Sequence, residues 1–347
     1  MADRNVELMW ERFTWRILAN HVSVWELEQL KQRIERWEQW CGEWSRAARE
    51  HAAIGDRAAA AGHRLTAGAA YVRAMSFYHW ASFYFVHDQG QFVTALQAMD
   101  ECLRKAAPLV DPPLEIVEVP FENIKLSGYL RKPANVARPA IAILCPGGDS
   151  TKEELYDLGE HIVARGMAFL AFDGPGQGLI STQQKMRPDY ERVIRAVTDY
   201  VCARNDLDGR RLAVGGISYG GLFACRAAAF DARVRAVVSI SSWYTPAGLY
   251  AHAPALTQTS VRQYFGDNAA EVQTAMTMAG AAERIEVPLL QVYGGRDKAS
   301  PPEHAYRVEK EVKGPVTTVV FEEGVHVCNN VQYKARPLIA DWLVENL

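Results

Sequence analysis

Residues 212–229 read L-A-V-G-G-I-S-Y-G-G-L-F-A-C-R-A-A-A, and this stretch decides the fold. Its first part is an apolar run typical of a buried strand, and its last part is a run of small residues that favours a helix. Between the two, Gly216, Ser218 and Gly220 form a G-x-S-x-G motif. A strand that turns sharply into a helix at this motif exposes the serine hydroxyl as a nucleophile. The alternative is a glycine-rich turn that carries an ordinary serine.

Short strand-like runs alternate with helical segments around this stretch. The runs are residues 115–121, 125–131, 140–145, 168–172, 212–216, 234–241, 288–293 and 317–321. From residue 140 onward they are separated or followed by helical segments at residues 151–165, 189–203, 219–229, 302–312 and 336–345. This alternation predicts an α/β fold, a mostly parallel sheet covered by helices on both faces. The first two runs predict an antiparallel hairpin at the sheet edge.

Two local features belong to this second part of the chain. Ser150 and Glu153 have the spacing of a capping box, which predicts a helix that begins directly after the serine. Residues 244–285 contain no clear strand. A lid formed by this segment is therefore an open alternative.

The first 112 residues have a helical pattern. Ser23 and Glu26 predict a capping box, and apolar residues then recur every three or four positions as far as Trp44, as on one long helix. A second helical segment, residues 67–88, is unusually aromatic. Helix–helix packing explains most such side chains, but some are candidates for substrate contact: Tyr78, Trp80, Phe83 and Tyr84. We therefore expect a helical cap domain over residues 1–112 and a catalytic domain over residues 113–347.

Composition and charge exclude several classes of function. The chain has 347 residues, 49% of them hydrophobic, and a net charge of −3 without a block of like charges, which argues against a nucleic-acid surface. The uncharged residues 236–261 contain two prolines and a histidine, so a strand and loop are expected there, not a membrane span. The N-terminus has no apolar run typical of a signal peptide. Six cysteines without metal-type spacing predict reduced thiols in a cytoplasmic protein.

A serine hydroxyl is a weak nucleophile unless a base takes its proton. In folds with this motif, the serine is followed along the chain by an acid and then by a histidine. Asp297 follows the run at residues 288–293 and His326 follows the last run, so both lie at carboxyl ends of strands, where α/β sheets place their sites. We predict Ser218 as nucleophile, His326 as general base and Asp297 as the acid that orients the histidine. The alternatives are a surface-loop histidine and a turn-capping aspartate; the rival base, His304, falls within a predicted helix.

Stabilisation of a tetrahedral oxyanion requires two N–H donors. One is expected to be the backbone N–H of Tyr219, beside the nucleophile, and the other to come from the loop C-P-G-G-D-S at residues 145–150. Gly148 is the first candidate in that loop and Asp149 the second; the alternative is a plain turn. The glycine-rich F-D-G-P-G-Q-G at residues 172–178 is followed by no G-K-[ST], so it does not predict a phosphate loop. We expect it to shape the rim of the sheet.

Three motifs together resemble one α/β-hydrolase group: G-G-D-S-T-K-E-E at residues 147–154, F-D-G-P-G-Q-G at 172–178 and G-I-S-Y-G-G at 216–221. The group includes 2,6-dihydroxypseudooxynicotine hydrolase, the fermentation-respiration switch protein FrsA and fungal polyketide-shortening hydrolases. The resemblance extends over the whole chain. It implies the α/β-hydrolase fold with a helical cap, a triad at Ser218, Asp297 and His326, no metal or other cofactor, and a homodimer. Some members cleave carbon–carbon bonds in 1,3-dicarbonyl compounds and others cleave esters.

We therefore expect a serine hydrolase that cleaves an ester, or a carbon–carbon bond next to a carbonyl, in a small and partly aromatic substrate. Residues 232–266 contain no Asp or Glu, and they supply Trp243 and Tyr244 as expected substrate-binding residues. The nicotine-pathway member of the group has an additional pocket glutamate in this segment, so its absence argues against that specific activity. Two alternatives stay open: a non-catalytic regulator on a hydrolase scaffold, and an acyltransferase that uses the same triad.

Overall fold

The computed structural model describes residues 3–347, which divide into two compact units. The first unit is the chain up to Ile116 together with Pro254–Ser260, and the second is Val117–Ala253 with Val261–Leu347. The segment 244–285, considered above as a lid, is not a unit of its own, because its residues 254–260 group with the N-terminal helices. The role of a cap for the helical unit stays a prediction.

Between residues 3 and 112, the structure has five α-helices. They are α1 (Arg4–Leu18), α2 (Val24–Arg33), α3 (Trp40–Ala60), α4 (Arg64–Ser82) and α5 (Gln89–Ala106). The capping box of Ser23 and Glu26 is present at the start of α2. The prediction of one long helix from Ser23 to Trp44 is wrong, since α2 ends at Arg33 and a short 3-10 turn precedes α3.

Hydrogen bonds from backbone N–H groups to side chains explain this break. The backbone at Arg36 is extended, with φ −133° and ψ 150°. The N–H groups of Glu35 and Arg36 donate to the side-chain oxygen of Gln39, at 3.1 and 2.8 Å, and the N–H of Trp37 donates to the Asp3 carboxylate at 2.8 Å. These bonds replace the backbone partners that a continuous helix would supply. The apolar stripe therefore continues across two helices.

The aromatic side chains of α4 pack within the helical unit. Trp80 is fully buried, with its ring 6.3 Å from that of Trp44 and 5.0 Å from that of Phe83. The Trp40 indole N–H also donates to the Trp80 carbonyl at 2.7 Å. Packing inside this unit thus explains the burial of Trp80 and Phe83. Contact of a substrate with any of the four candidate aromatics, including Tyr78 and Tyr84, stays a prediction.

An eight-stranded sheet forms the centre of the second unit. Its strands are β1 (Leu114–Phe121), β2 (Ile124–Arg131), β3 (Ile141–Cys145), β4 (Ala168–Phe172), β5 (Leu212–Ile217), β6 (Ala236–Ile240), β7 (Leu289–Gly294) and β8 (Val316–Phe321). They lie in the order β1-β2-β4-β3-β5-β6-β7-β8. Strand β2 is antiparallel to β4, and every pair from β4 to β8 is parallel. The predicted α/β fold is confirmed, and each predicted run overlaps one strand, with ends that differ by a few residues at most.

Helices connect these strands. They are α6 (Tyr156–Val163), α7 (Glu191–Cys202), α8 (Tyr219–Phe230), α9 (Leu249–His252), α10 (Ala255–Phe265), α11 (Ala269–Ala275), α12 (Glu303–Glu309) and α13 (Gln332–Glu345). The capping box predicted for Ser150 and Glu153 is not formed, because the Ser150 hydroxyl donates to the carboxylate of Glu154 and a 3-10 turn precedes α6. The uncharged residues 236–261 form β6, α9 and part of α10. Over residues 3–347, every helix is too short or too polar to span a membrane.

The cysteines are free thiols, and all except Cys202 are buried. Burial raises the pKa of the Cys328 thiol, two residues after His326, to about 12. The thiol is therefore uncharged at neutral pH, and the side chain fills space in the core. Within the described chain, no three His, Cys, Asp or Glu side chains form a group that could hold a metal ion.

Replacing Trp80 by alanine should lower the free energy of unfolding by about 3–5 kcal/mol, because a large cavity would open inside the aromatic core. Trp25→Ala in the same unit is the matched control, since Trp25 is 73% exposed and a surface substitution costs about 0.5 kcal/mol or less. Chemical denaturation of both variants measures the difference. Equal stability of the two variants would contradict the packing described above.

Candidate active site

The G-x-S-x-G motif, which is predicted to carry the nucleophile, forms the turn between β5 and α8. Ser218 has φ 58° and ψ −122°, a conformation that an L-residue rarely adopts. Its N–H donates to the Ile240 carbonyl at 2.8 Å. The glycines permit the close packing of this turn: a Cβ at Gly216 would lie 2.2 Å from the Gly220 carbonyl carbon, and one at Gly220 would lie 2.1 Å from the Cys145 carbonyl oxygen. Any larger residue would push the strand, the turn and the loop after β3 apart.

The histidine loop follows β8. His326 begins a short 3-10 turn in which Val327 has φ 60°. Two side chains hold this loop: the Val325 N–H donates to Asn330 Oδ1 at 2.8 Å, and the Val327 N–H donates to Ser241 Oγ at 2.9 Å. The backbone on both sides of His326 is therefore hydrogen-bonded to groups outside the turn, which limits movement of the imidazole.

The acid loop follows β7. Asp297 Oδ1 accepts hydrogen bonds from the N–H groups of Ala299 and Ser300, both at 2.9 Å, and its side chain is fully buried. Burial by itself would raise the pKa of the Asp297 carboxyl. The charge and hydrogen bond of His326 and the N–H of Ser300 outweigh burial, so the pKa lies below its ordinary value. The Asp297 carboxylate is consequently ionised at neutral pH.

The three loops bring the predicted serine, histidine and aspartate together. His326 Nδ1 lies 2.7 Å from Asp297 Oδ2, and His326 Nε2 lies 3.2 Å from Ser218 Oγ. An ionised carboxylate only accepts hydrogen bonds, so the imidazole proton belongs on Nδ1 and Nε2 is left to accept from the serine hydroxyl. This arrangement can move the Ser218 proton to His326 as the oxygen attacks.

Aromatic side chains adjoin the imidazole. The Trp243 ring is centred 5.9 Å from the His326 ring and 4.7 Å from the Tyr219 ring. The Trp243 indole N–H donates to the Ala299 carbonyl at 2.8 Å, which fixes the ring beside the acid loop. Trp243 thus lies beside His326, and its contact with a substrate stays a prediction.

Tyr244 is oriented differently. Its hydroxyl donates to the Glu311 carboxylate at 2.9 Å, and the Arg307 guanidinium lies 3.7 Å from its ring centre. Both the polar and the aromatic part of the side chain are therefore engaged by residues of α12 and the turn after it. The side chain of Tyr244 is thus directed to α12, and its expected contact with a substrate stays a prediction.

The loop that is expected to supply an oxyanion donor lies against the nucleophile turn. A Cβ at Gly147 would be 3.2 Å from the Ser218 Cβ, and a Cβ at Gly148 would be 2.7 Å from the Tyr219 ring. The backbone of Gly147 therefore passes directly beside Ser218, and that of Gly148 passes beside Tyr219. Asp149 follows these two glycines in the same loop.

Two residues that hold the loop around His326 were not predicted, Ser241 and Asn330. Ser241 directly follows β6, at the same edge of the sheet as Asp297, and this position is the signal that sequence reasoning could have used. Asn330 carries no comparable signal, because its role depends on the path of the loop after His326.

Two kinds of curated relative are similar to this chain. The α/β hydrolase pydG of Acremonium sp is 37% identical over 222 residues, which are 60% of this chain and 52% of the relative. The chain spans about half the length of such fungal relatives. The 2,6-dihydropseudooxynicotine hydrolase of Paenarthrobacter nicotinovorans is 27% identical over 343 residues, which are 97% of this chain and 92% of the relative.

A solved structure and a family profile agree with these relatives. The crystal structure of the 2,6-dihydroxy-pseudo-oxynicotine hydrolase superimposes with a TM-score of 0.86 at 28% identity, covering 96% of this chain and 95% of the other. A profile described as FrsA-like esterase matches residues 28–263, more than half of the chain. On this evidence, the protein belongs to the FrsA-like esterase family and is an α/β-hydrolase.

Proposed function

We propose that the protein is a serine hydrolase that cleaves an ester, or a carbon–carbon bond next to a carbonyl, in a small and partly aromatic substrate. The observation that carries the proposal is the hydrogen-bonded chain from Ser218 Oγ through His326 to Asp297, with distances of 3.2 and 2.7 Å. Such a chain gives a neutral serine hydroxyl a base at the moment of attack.

In the proposed reaction, Ser218 Oγ attacks the substrate carbonyl carbon while its proton passes to His326 Nε2. Asp297 stabilises the resulting imidazolium, for which its ionised state is required. Collapse of the tetrahedral intermediate breaks the bond to the leaving group, which takes the proton from His326. The leaving group is an alcohol from an ester, or an enol or ketone from a β-dicarbonyl compound. Water then attacks the acyl-enzyme by the same steps and releases an acid.

The negative charge on the former carbonyl oxygen needs donors beside Ser218. We assign the Tyr219 N–H, at the start of α8, as one donor. The other comes from the glycine loop after β3, with Gly148 ahead of Asp149 because its backbone passes beside the nucleophile turn.

The substrate is proposed to be neutral and partly aromatic on the side that faces Trp243. Stacking on an indole suits an aryl or polyketide-like group. A buried cation would need a carboxylate partner, because leaving it unpaired costs several kcal/mol. Residues 232–266 contain no Asp or Glu to supply one. The homodimer and the cytoplasmic location expected above remain proposals of the same kind.

Ser218→Ala should abolish turnover and leave the fold intact, because the attacking oxygen is removed and only the small rate due to binding and oxyanion stabilisation remains. Turnover on a panel of aryl esters and β-diketones, together with labelling by a fluorophosphonate probe, measures the effect. Ser127→Ala is the matched control, since Ser127 lies on β2, which β4 and β3 separate from β5. A purified Ser218→Ala protein with more than a few per cent of wild-type activity would exclude Ser218 as nucleophile.

The value of kcat/KM should fall as pH is lowered from about 7.5 to 5, the range in which histidines take up a proton and cease to act as bases. Asp297 does not cause this loss. Its lowered pKa keeps the Asp297 carboxylate ionised over this pH range. The folding stability linked to this lowered pKa is fully present above the ordinary carboxyl pKa near 3.9, and it is lost only as pH falls through the lower pKa of the folded state.

Asp297→Asn should reduce kcat by about four powers of ten at pH 8, because the amide no longer holds the imidazole in the required tautomer. Circular dichroism recorded at each pH separates loss of activity from unfolding. A flat pH profile down to pH 5, or an Asp297→Asn enzyme with near-normal kcat, would falsify the triad.

Neutral substrates should have a higher kcat/KM than matched substrates that carry a methylamine group on the acyl side. A cation–π contact with Trp243 could supply only about 0.5–2 kcal/mol of compensation. Pairs of aryl esters that differ only in this group, assayed side by side, test the expectation. A tenfold preference for the aminated member of each pair would mean that a carboxylate from another part of the chain reaches the substrate.

A further inference from the structure

The glycine-rich loop after β4 contains a buried glutamine that reaches the loop after β3. Gln177 is only 1% exposed. Its side-chain Nε2 donates to the carbonyl oxygens of Pro146 and Gly147, both at 2.9 Å. One amide group therefore holds two consecutive peptide units of the loop that passes beside Ser218.

The opposite end of the same amide is also fixed. Gln177 Oε1 accepts from the N–H of Gly174 at 3.0 Å and from the Tyr190 hydroxyl at 2.7 Å. The Tyr190 ring is stacked on Phe223 of α8, with centroids 3.9 Å apart and planes at 12°. Both donors and both acceptor positions of the amide are used, so its orientation is determined by its partners and cannot reverse without losing four hydrogen bonds.

Because each peptide unit is planar, hydrogen bonds to these two carbonyl groups also fix the direction of the N–H groups that follow them. In a planar trans peptide the carbonyl and the following N–H point in opposite directions. A hydrogen bond on the Pro146 carbonyl therefore orients the Gly147 N–H, and one on the Gly147 carbonyl orients the Gly148 N–H. Glycine has no intrinsic preference that would keep these peptide planes in place. Without the hydrogen bonds from Gln177, these two peptide units and their N–H groups would reorient readily.

We propose that Gln177 is a positioning residue that fixes the peptide units of residues 146–148 and so aims the N–H group of Gly148 at the oxyanion formed on the substrate. This inference rests on the proposed function. It assigns a role in catalysis to the F-D-G-P-G-Q-G motif, which was expected only to shape the rim of the sheet. Gln177 does not touch the substrate; it acts through the loop.

A second contact from the same motif holds the far end of the loop. The Lys152 N–H donates to Asp173 Oδ1 at 2.7 Å, and the Lys152 ammonium donates to Asp173 Oδ2 at 3.0 Å. The loop after β3 is thus anchored at residue 152 independently of Gln177. Loss of the Gln177 amide should release the two glycine peptides and leave the rest of the loop in place.

The test is Gln177→Met, which keeps the length of the side chain and removes both donors. We expect kcat on an aryl ester to fall about 10- to 100-fold, somewhat less than the loss of a whole oxyanion donor, with KM changed by less than about threefold. Affinity for an arylboronic acid, which forms a tetrahedral adduct with the serine, should weaken by a similar factor as kcat.

Gln291→Met is the matched control. Gln291 is equally buried, and its amide donates to the Ala305 carbonyl and the Thr318 hydroxyl, both at 3.1 Å, on β7 and its neighbours. It should lose stability as Gln177→Met does and keep its kcat. If both variants lost activity together, or if folded Gln177→Met kept its kcat and its boronate affinity, the positioning role would be overturned.

Tyr190→Phe provides a second variant if Gln177→Met does not fold. It removes one hydrogen bond to Gln177 Oε1 and retains the stacked ring, so we expect a smaller fall of about 3- to 10-fold in kcat with the same unchanged KM. A normal kcat in Tyr190→Phe together with unfolded Gln177→Met would count against the proposal. Wild-type protein that neither hydrolyses the ester nor reacts with a fluorophosphonate would instead refute the proposed function, and the inference with it.

Discussion

The structure depends on one strained turn, at Ser218. A positive φ at a residue with a side chain costs about 1–3 kcal/mol and persists only where the surroundings impose it. Here β5 and α8 impose it from either side, and the N–H of Ser218 is bonded to the Ile240 carbonyl of the adjacent strand. The turn also requires Gly216 and Gly220, since any Cβ there would collide with backbone. Substitutions at these glycines would therefore alter the site and the centre of the sheet together.

The remaining parts of the site are held by backbone hydrogen bonds to side chains. Asp297 accepts hydrogen bonds from two N–H groups of its own loop, and the Ser241 hydroxyl accepts one from the N–H of Val327. The Gln177 amide donates to two carbonyl oxygens of the loop after β3. Catalysis by preoriented groups requires such rigidity, because each group must already lie in place when charge develops. Loops have few regular hydrogen bonds of their own, so buried polar side chains supply them.

Sequence reasoning placed the strands correctly and went wrong at two helix starts, where side chains form hydrogen bonds other than the expected ones. The eight runs contain strands because alternation of apolar segments with helices is visible within short windows. The long helix assumed through Arg36 was wrong, because Gln39 and Asp3 bond the backbone N–H groups at that point. The Ser150 cap was also wrong, since the hydroxyl donates to Glu154 instead. In both cases a specific side-chain contact overrode a pattern that tolerates several conformations.

The amino-acid sequence by itself determined the α/β class, the sharp turn at Ser218 and the position of Asp297 and His326 after strands, because strand ends and glycine motifs can be recognised from neighbouring residues. Only the tertiary structure decided that the three side chains meet, that Trp243 adjoins the imidazole while Tyr244 turns to α12, and that Gln177 reaches the loop after β3. These contacts join residues 29 to 108 positions apart. Their geometry follows from how strands and loops pack in three dimensions, which no local window of sequence contains.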